Sequence, residues 1–325
     1  MYTTMNESSC SSPLNSTATK IGQSFAYSLI FVVSLVGNSF IGIVVYKTQT
    51  LRKPINYFIV NMAMSDLLYP IFWVPKEIAE SFVESWPIGD SLGQVLCKLV
   101  SFVGNISVLV SVQSLVLIAV DRFGAVVFPL GSPLISSKMC PFFILATWIV
   151  AMAVSSPGLL AFKLVEYSGK LACEIRWDEA FGESSSFANY FLALCIVFLY
   201  VPTALLIILY SIIVINLKTQ IFPGEQSVNA ERQRAKRNRN VVKMAITIVV
   251  GFVLCWVPWS IISFLVFCAS ESDRTLPCGL YLYHGIGHFI SLLSFAINPC
   301  ICFTFSGNYR QGLKRLLKYS SPVQD

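Results

Sequence analysis

The run FLALCIVFLYVPTALLIILYSIIVIN, residues 191–216, contains no charged side chain. A helix that crosses the hydrocarbon of a bilayer needs about 20 predominantly apolar residues, because lipid leaves every backbone N–H and C=O to be satisfied within the segment. This run is long and apolar enough to do so. It predicts an integral membrane protein rather than a water-soluble domain.

Six further segments of the same kind lie along the chain. We predict seven membrane spans, at residues 21–46, 55–80, 94–126, 138–162, 187–216, 240–267 and 279–304. Composition agrees, because 55% of the 325 residues are hydrophobic and only 12% are charged, unlike an ordinary soluble domain. The predicted fold is all-α, a seven-transmembrane helix bundle with a short amphipathic cytoplasmic helix. We expect three parts: an extracellular segment (1–20), the transmembrane domain (21–304) and a cytoplasmic tail that contains the amphipathic helix (305–325).

The distribution of charge predicts the orientation. Sixteen of the 23 Lys and Arg residues fall on one side of this topology with four acids, whereas the other side holds seven basic residues and twelve acids. Short cytoplasmic loops collect positive charge, so the N-terminus is predicted outside and the C-terminus in the cytoplasm. Glycosylation sequons at Asn6 and Asn15 lie in the segment placed outside. The basic residues lie between apolar runs, which does not favour nucleic-acid binding.

An aspartate, Asp66, lies in the middle of the second span. Charges at this depth are costly and are functional by default. Asn38, Ser111, Ser294 and Asn298 lie at comparable depth and could form a cage for a sodium ion with Asp66. The alternative is a protonated or water-bridged aspartate that only holds helices together. We expect no other cofactor.

Two other groups of residues carry chemistry. Asp121 and Arg122 end the third span, where the arginine can pair with its neighbour and still reach a partner protein, or serve only as an interfacial anchor. His284 and His288 share one face of the seventh span, but Gly285 replaces the glutamate of an H-E-x-x-H motif, so a ligand contact is favoured over zinc. The sequence contains no Ser/His/Asp grouping or phosphate loop, so an enzyme is not expected.

An ordered set of motifs runs through the seven spans. Its members are Gly37-Asn38, Asn61-Met62-Ala63-Met64-Ser65-Asp66-Leu67, Trp86, Gly89, Cys97, Asp121-Arg122-Phe123, Trp148, Pro202, Tyr210, the segment Phe252 to Pro258 and Asn298-Pro299. Together they resemble the rhodopsin-like (class A) family of G-protein-coupled receptors over essentially the whole chain. Asn56-Tyr57-Phe58 onward resembles the neuropeptide branch. The resemblance implies a plasma-membrane receptor that binds an extracellular ligand and activates a heterotrimeric G protein, with arrestin as a further partner.

The resemblance also implies roles for single residues. Cys97 and Cys173 would form a disulfide, and Cys268 and Cys278 a second one, for which Cys10 could compete. The residues implied in G-protein coupling and switching are Asp121, Arg122, Tyr210, Trp256, Pro258, Asn298, Pro299 and Cys302.

Two residues depart from the family pattern. Cys302 stands where the family closes its Asn-Pro-x-x-Tyr motif with tyrosine, so the hydroxyl that meets Tyr210 in the active state is missing. Phe123 likewise replaces the tyrosine after Arg122. We therefore expect signalling that is weakly driven, weakly restrained, or both.

The charged residues predicted near the outer surface indicate the chemical class of the ligand. Gly104 stands where amine receptors of the family carry an aspartate, which disfavours an amine. The acids Glu77, Glu80, Glu84 and Glu174 would form an acidic mouth that attracts a basic peptide, for instance one that ends in arginine and an amidated aromatic residue. Solvation of the surface is the alternative use of these acids. The proposed ligand contacts are Glu77, Glu80, Gly104, Glu174, Trp256, His284 and His288. A lipid or other small non-amine ligand, and an ion or proton transporter, remain the alternative functions.

The tail alternates basic and apolar residues from Ser306 to Leu317. This pattern predicts an interfacial helix bound to membrane lipids, in which Tyr309, Leu313, Leu316 and Leu317 face the lipid.

Overall fold

The structure is a computed structural model that describes residues 17–128, 133–219, 228–271 and 278–319. Seven of its helices are long and apolar enough to cross a membrane: Thr17–Lys47, Pro54–Val83, Asp90–Val127, Cys140–Ala161, Phe187–Thr219, Arg239–Glu271 and Leu282–Phe305. The predicted seven-helix bundle is confirmed.

The elements follow one another in a simple order. The helices are α1 (Thr17–Lys47), α2 (Pro54–Val83), α3 (Asp90–Val127), α4 (Cys140–Ala161), α5 (Trp177–Phe181), α6 (Phe187–Thr219), α7 (Val228–Glu271), α8 (Cys278–Phe305) and α9 (Gly307–Tyr319), and the strands β1 (Phe162–Tyr167) and β2 (Lys170–Ile175) lie between α4 and α5. A π-helical turn at Ile196–Tyr200 interrupts α6. Such turns are frequent at functional sites. α7 begins earlier than predicted, because its helix continues back through the basic segment before the membrane.

Apolar side chains lie on both the inside and the outside of the bundle. Phe58, Met62 and Leu115 are almost fully buried between helices, whereas Phe25 and Leu254 are 72% and 66% exposed. In a bilayer such outward apolar side chains contact lipid, so their outward position carries no free-energy penalty there. The inner contacts run chiefly between α1, α2 and α3 and between α7 and α8.

One close approach joins α1 to α8. A Cβ atom added at Gly37 would lie 2.7 Å from Pro299 Cβ, which is closer than side-chain carbons pack. Glycine is therefore needed at Gly37 for α8 to approach α1 at its proline.

A β-hairpin lies across one end of the bundle, here the hairpin end. β1 and β2 pair antiparallel from Phe162↔Ile175 to Tyr167↔Lys170, and Ser168 and Gly169 turn the chain with positive φ. Two successive left-handed residues are typical of a two-residue hairpin turn. The Cys97–Cys173 disulfide, which the resemblance implies, ties β2 to α3. The sequence analysis did not predict this hairpin.

The short helix α9 lies at the opposite end, here the α9 end. Tyr309 is 1% exposed, and its hydroxyl donates to Asn56 Oδ1 at 3.2 Å. A Cβ atom at Gly312 would lie 2.6 Å from Val44 Cγ1, so α9 packs directly on α1. The predicted amphipathic helix is present, but the prediction that Tyr309 faces lipid is wrong. An apolar stripe alone does not distinguish lipid from the bundle.

Candidate ligand site and signalling core

Asp66 joins three helices in the centre of the bundle. Its side chain is 1% exposed. Oδ1 accepts a hydrogen bond from Ser111 Oγ of α3 at 2.5 Å, and Oδ2 accepts one from Asn298 Nδ2 of α8 at 2.8 Å. The hydroxyls of Ser65 and Ser111 lie 2.9 Å apart. The structure therefore brings together three of the predicted sodium-site residues.

The surroundings of Asp66 fit a hard cation. Asn38, which donates to the carbonyl of Phe295 at 3.0 Å, has a buried Oδ1 atom with no hydrogen-bond partner in the described part of the chain. Sodium is a hard cation that takes oxygen ligands, and the Asp66 carboxylate, the Ser111 hydroxyl and the unused amide oxygen of Asn38 are groups of that kind. Ser294, by contrast, makes its hydrogen bonds to Trp256 and Ser291.

Trp256 connects the hairpin end of α7 to this core. Its Nε1 donates to Ser294 Oγ of α8 at 3.0 Å. Its ring packs against Phe295 at 6.0 Å and against Trp259 at 5.4 Å between centroids. Pro258 lies between the two tryptophans, where it removes a backbone hydrogen bond from α7. Trp256 thus joins α7 to α8 beside the Asp66 core.

Arg122 pairs with its neighbour at the α9 end. Its Nε donates to Asp121 Oδ2 at 3.0 Å, and Nη2 contacts the same oxygen. Among the residues that the structure describes, Asp121 is the only acid in an ion pair with Arg122.

Tyr210 and Cys302, which the family resemblance links in the active state, are both buried in this structure. Tyr210 is 6% exposed, yet its hydroxyl has no hydrogen-bond partner within the described ranges. Cys302 is fully buried and has no hydroxyl to offer. An unpaired buried hydroxyl costs about 1–3 kcal/mol. A conformation in which Tyr210 finds a hydrogen-bond partner would recover this free energy.

The acids of the predicted mouth are paired with bases. Lys76 contacts Glu77 at 3.1 Å and Glu80 at 2.8 Å, and Glu84 contacts Lys20 at 2.5 Å and Lys170 at 3.5 Å. The hydrogen bond from Lys20 holds the pKa of the Glu84 carboxyl below its usual range. The attractive field is therefore weaker than the number of acids predicts.

Glu174 lies within the hairpin rather than facing a ligand. It is 3% exposed, accepts a hydrogen bond from the Tyr167 hydroxyl at 2.9 Å and pairs with Arg176 at 3.3 Å. Burial, together with the bond to Glu174, raises the pKa of Tyr167. Glu174 thus stabilises β1 against β2, and its ligand contact stays a prediction.

The two histidines have separate partners. His288 Nε2 lies 3.1 Å from the Tyr69 hydroxyl of α2, and His284 Nε2 lies 3.1 Å from Ser263 Oγ of α7. No group of three or more His, Cys, Asp or Glu side chains that could hold a metal occurs in the described ranges. Gly104 faces the same place, since an added Cβ would lie 3.4 Å from the Tyr69 ring. Aromatic side chains of α2 therefore fill the position where amine receptors carry their aspartate.

Some predicted residues lie outside the described structure. Asn6, Asn15 and Cys10 are in residues 1–16, and the side chain of Cys278 is not described. The glycosylation sites and the Cys268–Cys278 disulfide therefore stay predictions.

The structure adds residues that the sequence analysis missed. Trp73 donates from Nε1 to Glu77 Oε1 at 2.8 Å. Glu271, at the end of α7, accepts hydrogen bonds from Ser186 Oγ at 2.6 Å and Ala188 N at 3.0 Å. It thereby caps the N-terminus of α6 from another helix. Only the Ser186 position, a usual helix N-cap residue, could have indicated this contact.

The fold and this core define the class of protein. The family model "7 transmembrane receptor (rhodopsin family)" matches residues 37–301, and the chain belongs to this family. The transporter alternative is not favoured.

Several individual receptors are similar to this chain. The RYamide receptor of Drosophila melanogaster is 30% identical over 300 residues, which cover 90% of this chain and 62% of that protein. Neuropeptide FF receptor 2 of Mus musculus is 28% identical over 89% of this chain and 70% of its own length, and the neuromedin-K receptor of Rattus norvegicus is 27% identical over 93% and 64%. The chain therefore spans less than two thirds of the fly and rat receptors. The predicted likeness to the neuropeptide branch is confirmed.

Proposed function

We propose that this chain is a plasma-membrane receptor that binds an extracellular peptide and activates a heterotrimeric G protein. One observation carries the proposal: contacts run without a break from the hairpin end to the centre of the bundle. The His288 ring lies 6.2 Å from the Trp259 ring, Trp259 packs on Trp256, Trp256 bonds to Ser294 of α8, and the same helix supplies Asn298 to Asp66.

The mechanism follows from this path as a population shift. A ligand that binds better when Trp256 and Trp259 are displaced favours the conformation in which α8 and α7 have moved. At the α9 end such a movement would open space beside α3, into which the Arg122 side chain turns away from its neighbour Asp121 to meet the G protein. The orientation, with the hairpin end outside, is supported by the excess of basic residues at the α9 end.

Chemistry and relatives together support a peptide ligand. The relatives are receptors named for an RYamide, neuropeptide FF and neuromedin-K, and Gly104 removes the anchor for an amine. A basic, amidated peptide is the ligand that we propose. On the cytoplasmic side we propose arrestin as a further partner and anionic lipids as contacts of α9.

The test is a screen of amidated peptides with G-protein biosensors in cells that express the chain. We expect a basic peptide to give a response that Arg122→Ala abolishes at equal surface expression. Lys218→Ala, at the exposed end of α6, is a matched control that removes a positive charge without touching the Asp121 pair. A screen without an Arg122-dependent response contradicts the proposal.

Sodium is tested separately. If Asp66 holds the ion, sodium chloride raises the thermal stability of the purified receptor above that in choline chloride, and Asp66→Asn removes the difference. Equal sodium stabilisation of the variant would show that the ion binds elsewhere or not specifically.

A further inference from the structure

Lys76 lies between two carboxylates at the hairpin end of α2. Its Nζ is 3.1 Å from Glu77 Oε1 and 2.8 Å from Glu80 Oε2, and it lies 4.7 Å above the centroid of the Trp73 ring. The three charged side chains are 19–30% exposed, so they are partly removed from water. The arrangement is a cation-binding site formed by two carboxylates and an indole face, in which the cation belongs to the chain itself.

The charges and hydrogen bonds of this site do not balance. Two carboxylates and one ammonium leave one negative charge in excess. Glu77 Oε1 takes both the Trp73 and the Lys76 hydrogen bonds, while Glu77 Oε2 and Glu80 Oε1 receive none from any described residue. Carboxylate oxygens in a partly desolvated place favour an additional cationic donor.

The second ion-pair cluster of the hairpin end has the opposite balance. Glu84 is shared by Lys20 and Lys170, which leaves one positive charge in excess, and Glu84 and Lys170 are more exposed than the Lys76 group. Of these two clusters, only the one at Glu77 and Glu80 therefore attracts a further cation.

The Lys76 site adjoins the signalling path. The Trp73 ring stacks on Tyr69 at 5.3 Å and lies 5.7 Å from the His288 ring, and Tyr69 in turn stacks on Phe295 of α8 at 4.6 Å. A cation bound between Glu77 and Glu80 is thus one ring contact, from Trp73 to His288, from the helix that carries Ser294 and Asn298.

We propose that Glu77 and Glu80 bind one cationic group of the ligand and that Lys76 is a built-in competitor that sets the affinity and the charge specificity of this subsite. The inference rests on the proposed function, in that the ligand is an extracellular peptide. A guanidinium is the favoured group, because its planar set of donors can reach oxygens of two carboxylates at once, whereas an ammonium acts as a point charge. A ligand without this charge gains nothing from the subsite.

The test measures binding rather than signalling. Argininamide and its uncharged counterpart citrullinamide are titrated into the purified receptor in lipid nanodiscs. Lys76→Met takes the subsite from one excess negative charge to two, Glu80→Gln takes it to zero, and Lys76→Arg keeps the charge as a matched control. We expect argininamide affinity to rise about tenfold in Lys76→Met and to fall about tenfold in Glu80→Gln. In Lys76→Arg, which keeps the charge but gives the competitor the favoured guanidinium, argininamide should bind no more tightly than to the wild type, and citrullinamide should bind equally to all four proteins.

Each other outcome overturns the inference. Unchanged or weaker argininamide binding in Lys76→Met means that Lys76 does not compete, and equal gains for citrullinamide mean that the effect is not one of charge. If Lys76→Met does not fold, the loss in Glu80→Gln with argininamide alone decides. If argininamide affinity follows the charge of the variants but no peptide activates the receptor, the subsite stands and the proposed function is rejected. If a peptide activates the receptor but argininamide affinity does not follow the charge, the proposed function stands and the subsite is rejected.

Discussion

The two ends of the bundle satisfy their polar groups in different ways. At the hairpin end, charged side chains pair across elements that are far apart in the sequence, as Lys20 does with Glu84, and the Cys97–Cys173 disulfide adds a covalent link. At the α9 end, Arg122 pairs with the adjacent residue and the Tyr210 hydroxyl has no partner in the described ranges.

This difference predicts that the helices are held more rigidly at the hairpin end than at the α9 end. Contacts between separate elements resist a relative movement of helices, whereas a pair of neighbouring residues travels with its own helix. Local stability is low where few contacts cross between elements. We therefore expect α6 and α7 to move at the α9 end while their opposite ends stay together, held in part by the Glu271 cap on α6.

The largest effect should come from cutting the covalent link. Cys97→Ser releases β2 from α3, and the loss of a structural disulfide costs about 2–5 kcal/mol. We expect lower surface expression and a lower melting temperature of the purified receptor. Cys300→Ser, at an exposed thiol, is the matched control. Equal melting temperatures for the two variants would mean that the hairpin end does not depend on the disulfide.

The next effect should come from the centre, between the two ends. Asn298→Ala leaves the Asp66 carboxylate without its donor on α8, and a buried group without its partner costs about 1–3 kcal/mol. Thermal unfolding measures the loss. Thr304→Ala, which removes an exposed hydroxyl from the same helix, should change the melting temperature much less. Similar losses in both variants would contradict a special role for Asn298.

A smaller effect is expected from adding a hydrogen bond at the α9 end. Cys302→Tyr restores the hydroxyl that, by the family resemblance, meets Tyr210 in the active state, and one new buried hydrogen bond contributes about 1 kcal/mol, or about fivefold in an equilibrium. Ligand potency in the biosensor assay should rise by about that factor. Cys302→Phe controls for ring size, so a gain shared by both variants would be an effect of packing.

The smallest effect should come from an exposed ion pair. The Lys20 ammonium lowers the pKa of Glu84, so the pair stabilises the fold above the ordinary glutamate value of 4.5 and the contribution disappears as the pH falls below it. Glu84→Gln should therefore melt slightly below the wild type at pH 7 and together with it at low pH. A difference in melting temperature that grows as the pH falls would contradict this prediction.

The sequence predicted the spans well, because length and hydropathy alone decide which segments can cross a bilayer. It failed where contacts between distant residues decide the outcome. Lys20 and Glu84 lie 64 positions apart, so the acids were counted as unpaired. Tyr309 was assigned to lipid because an apolar stripe on α9 does not show what covers it.

The candidate site was predicted in part for the same reason. Asp66, Ser111 and Asn298 carry polar groups at one depth, and the structure brings them together. Ser294 shares that depth but faces Trp256, a direction that depends on helix rotation. Lys76 was overlooked, since a lysine beside two glutamates on a helix usually marks only a solvated face.

The contact between Gly312 and Val44 has a mechanical consequence. At Gly312 α9 rests on the Val44 side chain of α1, and it holds Tyr309 inside the bundle, so its height is fixed by protein and not by how deeply it sinks into the bilayer. A thinner or thicker membrane should therefore leave this corner in register, and the mismatch should be taken up where α4 and α6 present their apolar sides to lipid.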